Sequence, residues 1–408
     1  MAIRVQLTPG QAAAREEYES FVREAVAPRA DDWDRAERLP EEFLKDFAAR
    51  GLLGAAVPAD YGGTGLDPIT FGLLNEELGR GCSSVRSLVT VHGMASYAVA
   101  RWGSRDQRAH WLPKFATGEA IGAFALTEPG AGSDVKGLRT AARRTADGYL
   151  LTGEKRWTTF GARADVYLLF ARLDGREAAF LVPRDAPGLT VRPVTGVLGT
   201  RASMLAELSL ADCRVPDGAL LGRPGFGLSA VAASALELGR YSVAWGCVGL
   251  TQACLDASLD YADRRETFGV RLRDHQLVQR MLADMATGAA ASRLLCQQAG
   301  WLRQDRSTDS LHATWLAKYH ASRTAFRSAS DAVQVHGAHG CGDAHPVQRY
   351  LRDAKVMEII EGSTELQQTT IAESAYHSRP RTAPTATSTA TSGPTATSGP
   401  TPTERVTA

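Results

Sequence analysis

The stretch QVHGAHGCGDAHPVQRYLRDAKVMEIIEGSTELQ, residues 334–367, decides how this chain is read. Within it, Glu361 follows the apolar run around Met357, Ile359 and Ile360 and directly precedes Gly362. A carboxylate in such surroundings loses solvation when charged, so its pKa is expected to rise toward the range useful to a general base. A second block, ALTEPGAGSDVKG at 125–137, supplies glycines and small hydroxyl residues where backbone can approach a flat cofactor.

The chain has 408 residues, more than one compact core accommodates, so two or three domains are expected. Hydrophobic residues make up 44%, in keeping with a folded globular protein. Charge is nearly balanced, 46 basic against 45 acidic residues, which argues against a nucleic-acid binder. No segment reads as a signal peptide or as a membrane span. Cys82, Cys213, Cys247, Cys254, Cys296 and Cys341 are scattered without a Cys-x-x-Cys pair, as expected for reduced thiols in a cytoplasmic protein.

The texture of the chain changes twice. Residues 1–120 read as a helical domain from residue 11 on, with Glu-, Ala- and Arg-rich segments broken by PADYGGTGLDP. Residues 121–232 read as a β domain, because GYLLTGEKRWTTFG, ADVYLLFARL, EAAFLVP and LTVRPVTG are short β-branched or aromatic runs between turn residues. Residues 233–378 return to long helical segments, and 379–408 form a Pro/Thr/Ala/Ser-rich tail too poor in apolar mass to order itself.

The order helical, β, helical and the two blocks quoted above resemble the acyl-CoA dehydrogenase family from residue 11 to about 377. The resemblance implies an α+β multidomain fold: an N-terminal helical domain, a β-barrel-like middle domain and a C-terminal four-helix bundle. It also implies FAD. Leu126, Thr127, Gly132 and Ser133 match positions that contact the isoalloxazine and pyrophosphate. Trp157 and Thr159 match the aromatic wall and the hydroxyl near the flavin, although a tryptophan in a β domain taken alone reads as core. RRETFGVRLRDHQ, 264–276, resembles the element that reaches the FAD of a neighbouring subunit. By that resemblance Arg265 would pair with the pyrophosphate, and Thr267, Phe268, Leu272, His275 and Gln276 would line the crevice. Gln334 and Gly337 match a loop on the adenosine half, with Ala338 and Cys341 departing from the family pattern. Ser363 and Glu365 complete the flavin set. A cofactor shared in this way implies a homo-oligomer, a tetramer or a dimer. His336, His339, Cys341 and His345 could suggest metal ligands, but they fall inside the flavin loop, and no metal is expected.

Glu361 matches the family's base, within EGSTE rather than the more usual EGTSE. A plain helix-capping carboxylate is the competing reading. Arg240 matches an arginine that supports the base. The backbone N–H of Glu361 and a flavin ribose hydroxyl are expected to polarise the thioester carbonyl. Ser133 and Gly362 are expected to border the substrate. Arg86, in RGCSSVRSLVTVHGMAS at 80–96, aligns with the floor of the acyl pocket, where it would favour a small polar acyl group. It reads equally well as a solvent-facing helix residue.

Within the family, GRYSVAWGCVGL, RRETFGVRLRDHQLV and LRDAKVMEIIEGSTE look most similar to the dehydrogenases of methoxymalonyl- and hydroxymalonyl-acyl-carrier-protein formation in polyketide pathways. That implies a glyceryl-type thioester on an acyl carrier protein and an electron-transfer flavoprotein or similar acceptor. A catabolic short-chain acyl-CoA dehydrogenase is the alternative. A non-catalytic thioester-binding scaffold and an oxygen-reacting flavoenzyme are more distant ones.

Overall fold

The structure is a computed structural model, and it describes residues 6–377. The expectation of a disordered tail at 379–408 lies outside the described residues. Six α-helices come first: α1 (Pro9–Phe21), α2 (Ala30–Ala36), α3 (Glu41–Ala49), α4 (Pro68–Gly81), α5 (Ser83–Trp102) and α6 (Arg105–Thr117). Local sequence explains where they start. Thr8 and Gln11 form a reciprocal capping box on α1. Asp67 caps α4 by accepting from the backbone of Ile69 and Thr70 at 2.9 and 3.2 Å. The Gln11 amide also donates to Asp67 at 3.0 Å, which ties the two caps together.

Eight strands follow: β1 (Gly122–Ala125), β2 (Ala141–Thr145), β3 (Gly148–Thr158), β4 (Val166–Leu173), β5 (Arg176–Pro183), β6 (Leu189–Pro193), β7 (Ala206–Pro216) and β8 (Leu220–Leu221). They form one sheet in the order β6-β7-β3-β2-β4-β5-β8, and β1 runs parallel to β4. The four runs read from sequence as strands are β3, β4, β5 and β6. β4 and β5 are nearly continuous buried runs, whereas β7 alternates buried and exposed positions.

The C-terminal helices are α7 (Ala233–Arg264), α8 (Gln276–Gln304), α9 (Ser310–His336), α10 (Val347–Met357) and α11 (Thr364–His377). A small hairpin of β9 (Glu266–Thr267) and β10 (Val270–Arg271) separates α7 from α8. α7, α8 and α9 pack on one another, and α10 lies against α7 and α9. Buried alanines at 317, 321, 325, 329 and 332 line the packed face of α9 and allow close approach.

Polar ties set the three regions around a common space. His92 of α5 accepts from Gly122 N–H at 3.1 Å, so its other ring nitrogen is the donor to the Phe115 carbonyl, also at 3.1 Å. Asp353 of α10 accepts from Thr200 N–H at 2.6 Å. Arg349 and Arg352 of α10 pair with Asp31 and Asp34 of α2 at 2.7 and 2.5 Å. The loop at Gly199–Thr200, the end of α10 and the body of α5 therefore converge. Among the described residues no helix is long and apolar enough to cross a membrane.

Candidate active site

A cavity of about 880 Å³ opens where α5, the 126–135 loop, the Trp157–Thr159 turn, α7 and the turn before α11 meet. It brings together Arg86, Leu126, Thr127, Gly132, Ser133, Trp157, Thr159, Arg240, Glu361, Gly362 and Ser363. The remaining expected residues lie elsewhere in this chain. Arg265, Thr267, Phe268, Leu272 and His275 belong to the hairpin and the turn before α8, and Gln276 opens that helix. Gln334 and Gly337 sit at the end of α9. None of these lines the cavity. Glu365 is outside it as well, because Ser363 and Leu366 face the cavity and Glu365 falls on the exposed side of the turn.

Glu361 does not cap α11. Ser363 takes that position, accepting from Leu366 N–H at 3.4 Å. Glu361 instead occupies the left-handed region at φ 55°, followed by Gly362 at φ 94°. A non-glycine residue there stores strain of about 1–3 kcal/mol and marks a conformation imposed by its surroundings. Here the surroundings are explicit. Nε of Arg240 donates to the Glu361 carbonyl at 3.0 Å, and Lys318 Nζ donates to the Gly362 carbonyl at 2.9 Å. The Gln367 amide adds a second donor to the Gly362 carbonyl at 2.6 Å. Arg240 is itself held over the Trp315 ring, 4.2 Å from its centroid.

The carboxyl group of Glu361 packs on α7 at Gly239, where a Cβ would come within 2.6 Å of Oε2. Only glycine leaves room for it. Oε2 is buried without a hydrogen-bond partner. Burial pushes the Glu361 pKa up, and the charges of Arg240, Lys318 and Arg86 pull it back down. The same carboxylate acts in the opposite sense on Lys318, whose pKa burial lowers to about 8. A carboxyl group raised by burial and flanked by three cations is suited to take up and release a proton.

Arg86 is 1% exposed, which excludes the solvent-facing reading. Its Nη1 donates to Thr90 Oγ1 at 3.0 Å and its Nη2 reaches the Met357 sulfur at 3.2 Å. Thr90 Oγ1 lies 2.6 Å from Ser242 Oγ, and Ser242 donates to Asn75 at 2.5 Å. The polar end of the cavity is thus a wired set of side chains from α4, α5 and α7 rather than an isolated charge. Burial lowers the Arg86 pKa, with Cys247 and Glu361 acting against that.

Trp157 is 54% exposed and lines the cavity, so it is not a core residue of the sheet. It also sits at φ 58°. A strained, half-exposed tryptophan in a cavity wall offers a face on which a flat ligand can stack. Side chains added at Gly130 or Gly132 would meet nothing within 4 Å, so the facing loop leaves its backbone open to a ligand. The aromatic wall, the open backbone and the orphaned Glu361 oxygen together fit a flavin with its substrate beside it. Three residues in this network carried no sequence signal that singled them out. Lys318 reads as an ordinary helix residue in AKYHAS, Gln367 as the polar end of ELQ, and Glu128 as part of a glycine loop. Glu128 anchors that loop by accepting from Lys155 Nζ at 2.7 Å and from Arg139 and Thr140 N–H at 2.7 and 3.0 Å.

Comparison with known proteins agrees with this geometry. The models of the acyl-CoA dehydrogenase N-terminal, middle and C-terminal domains match residues 8–119, 123–213 and 226–376. Probable acyl-CoA dehydrogenase YngJ of Bacillus subtilis is 37% identical over 374 residues, covering 90% of this chain and 98% of the relative. The mitochondrial short-chain specific acyl-CoA dehydrogenase of Sus scrofa is 35% identical over 374 residues, covering 90% of each chain. A solved structure titled FkbI for biosynthesis of the methoxymalonyl extender unit of the Fk520 polyketide immunosuppressant is 39% identical. It superposes with a TM-score of 0.81 over 89% of this chain and 99% of the other. The chain belongs to the acyl-CoA dehydrogenase family, whose members are FAD-dependent oxidoreductases.

Proposed function

We propose that this protein dehydrogenates a short, polar acyl thioester at its α,β carbons, the substrate being a glyceryl- or hydroxyacyl-type group on an acyl carrier protein in polyketide extender-unit assembly. The observation that carries the reading is Arg86, buried with its hydroxyl partners in the wall of the cavity that holds Glu361. A guanidinium at that position penalises an alkyl chain and rewards a hydroxyl or carboxylate. Similarity to the extender-unit protein FkbI supports the same substrate class.

Glu361 is the base. Its orphaned oxygen is free to accept the α-proton, and its neighbours Arg240, Lys318 and Arg86 stabilise the ionised form before the transfer. Arg240 fixes the turn by holding the Glu361 carbonyl. Leu126, Thr127, Gly132, Ser133, Trp157, Thr159 and Ser363 would hold the flavin ring from within the chain. Bound FAD supplies the acceptor for the hydrogen and electron pair leaving the β-carbon. Arg265, Thr267, Phe268, Leu272, His275, Gln276, Gln334 and Gly337 would serve the cofactor of a neighbouring subunit. The 95% exposure of Phe268 and the 73% exposure of Leu277 support such a homo-oligomer. An electron-transfer flavoprotein or similar carrier would reoxidise the enzyme.

The similarity to the short-chain mitochondrial enzyme favours one other reading, catabolic oxidation of a short acyl-CoA. Anaerobic mixing of the holoenzyme with glyceryl-carrier protein and with butyryl-CoA separates the two. Bleaching of the flavin band by the carrier-bound polar group, with butyryl-CoA much slower, is expected. Equal bleaching by both would overturn the extender-unit role.

A further inference from the structure

Lys318 is buried in the Ala-rich face of α9, between Ala317 and Ala321, with no surface for its ammonium group. Its hydrogen bond goes to a carbonyl, that of Gly362, at 2.9 Å. Among the described residues no carboxylate lies within ion-pair distance of it. A buried ammonium without a partnered counter-ion is costly, and an uncharged side chain of similar length would fill the same space more cheaply. The charges facing Lys318 are those of Glu361 and Glu358 from the turn before α11 and, from α7, Arg240, with the Cys247 thiol beside them. Glu358 already has a cation, Lys355, at 2.8 Å. The negative charge left for Lys318 to balance is that of Glu361, whose Oε2 has no hydrogen-bond partner.

The backbone points the same way. Glu361 and Gly362 are consecutive left-handed residues, and each of their carbonyls is gripped by a cation: Glu361 by Arg240 from α7, Gly362 by Lys318 from α9. Gln367 also donates to the Gly362 carbonyl, at 2.6 Å, so the Lys318 bond is one of two on that carbonyl, and it is the one that carries a charge.

We infer that Lys318 is a positioning residue for catalysis, which holds the Glu361–Gly362 turn from α9 and supplies a buried positive charge that favours the ionised form of Glu361. The inference rests on Glu361 being the base. Lys318 touches neither substrate nor reacting atoms; it acts through Glu361. Its own pKa, lowered to about 8, places the loss of that charge within the working range of pH.

The test compares holoenzyme carrying Lys318→Met, Lys318→Gln or Glu361→Gln with wild type. Two readouts are taken: the pH profile of flavin bleaching by substrate, and the pH titration of the Glu361 carboxyl stretch by infrared difference against Glu361→Gln. Loss of one nearby positive charge is expected to move the acid limb up by about one pH unit, about tenfold less activity at a fixed pH on that limb. KM is expected to change less than kcat, and the infrared titration to move with the kinetics. Lys318→Gln keeps a donor for Gly362 and removes only the charge, so it carries the same test if the methionine variant fails to fold. If Glu361→Gln is inactive and the lysine variants superpose on wild type in pH dependence, or lose activity equally at all pH values, the inference is overturned. Full turnover by Glu361→Gln overturns the base assignment, and the inference with it.

Discussion

Replacing Arg86 by methionine tests the substrate reading most directly. Methionine keeps the length of the stem and its packing beside Gly246, where a Cβ would lie 2.9 Å from the Arg86 side chain. It removes the guanidinium and its bond to Thr90. Thr90 is not orphaned by the change, since its hydroxyl also lies 2.6 Å from Ser242 and donates to the Arg86 carbonyl at 3.0 Å. A hydrogen bond to a charged group contributes about 1.5–3 kcal/mol, so loss of one to a substrate hydroxyl should cut kcat/KM for the glyceryl thioester by about 10- to 150-fold. A butyryl chain should gain, because each methylene buried against an apolar floor adds about 0.8 kcal/mol. Two such groups give about a tenfold rise. Stability should hold or increase, since a desolvated charge has been exchanged for an apolar side chain of similar volume. The assay is anaerobic flavin bleaching with both substrates, alongside a thermal melt. Equal losses with both substrates would refute the reasoning, because Arg86 would then act on the site as a whole and not on the acyl group.

Other consequences follow from the same contacts. Glu361→Gln should lower kcat by about 10²- to 10⁴-fold with little change in flavin content, measured by turnover and by the flavin spectrum. In the wild type, kcat/KM should rise with pH through the raised Glu361 pKa, above the usual carboxylate range, and a limb at an ordinary carboxylate pKa would contradict its burial. Trp157→Ala should weaken FAD retention and leave the melting of the apoprotein nearly unchanged, because the ring is 54% exposed; gel filtration followed by flavin absorbance reads this out. Burial, with the charge of Glu76 adding to it, raises the pKa of Glu77 in α4 from 4.5 to about 7, so the folded state loses stability as pH rises through that window. Glu77→Gln should recover up to about 3 kcal/mol at pH values above it and almost nothing below the unfolded pKa, seen in urea titrations on either side.

Much of the fold was legible because its signals are local. The apolar runs at β4 and β5 and the long Ala-rich helices announce themselves within a few residues, and the breakers at 62–67 fall in the loop before α4, which Pro68 opens. The buried carboxylate was legible for a similar reason: an acidic residue behind an apolar run and before glycine is a sequence pattern, and Glu361 does line the cavity with a raised pKa. Arg86 was not. Whether a helix residue faces solvent or a cavity depends on partners from elsewhere, and here they are Thr90 one turn on, Met357 of α10 and Gly246 of α7. Lys318 was hidden by the same logic, since it becomes more than a helix lysine only when the turn at Gly362 is folded onto it.

The arrangement at Glu361 also explains why three cations surround one carboxylate without forming an ion pair. A close bidentate pair with Arg240 would hold Glu361 ionised, yet it would occupy the oxygen that accepts the proton in the proposed role and drive its pKa below the range useful to a base. Arg240 and Lys318 spend their hydrogen bonds on backbone carbonyls instead, and Arg86 spends one on Thr90. Their charges still act through the low-dielectric interior, where they offset desolvation of the carboxylate and leave Oε2 bare. Orientation and charge are thus supplied by the same side chains through different atoms. A substitution that brought a cation into direct contact with Oε2 should therefore lower the Glu361 pKa and lower turnover at the same time, the opposite of what a simple need for an ionised base would give.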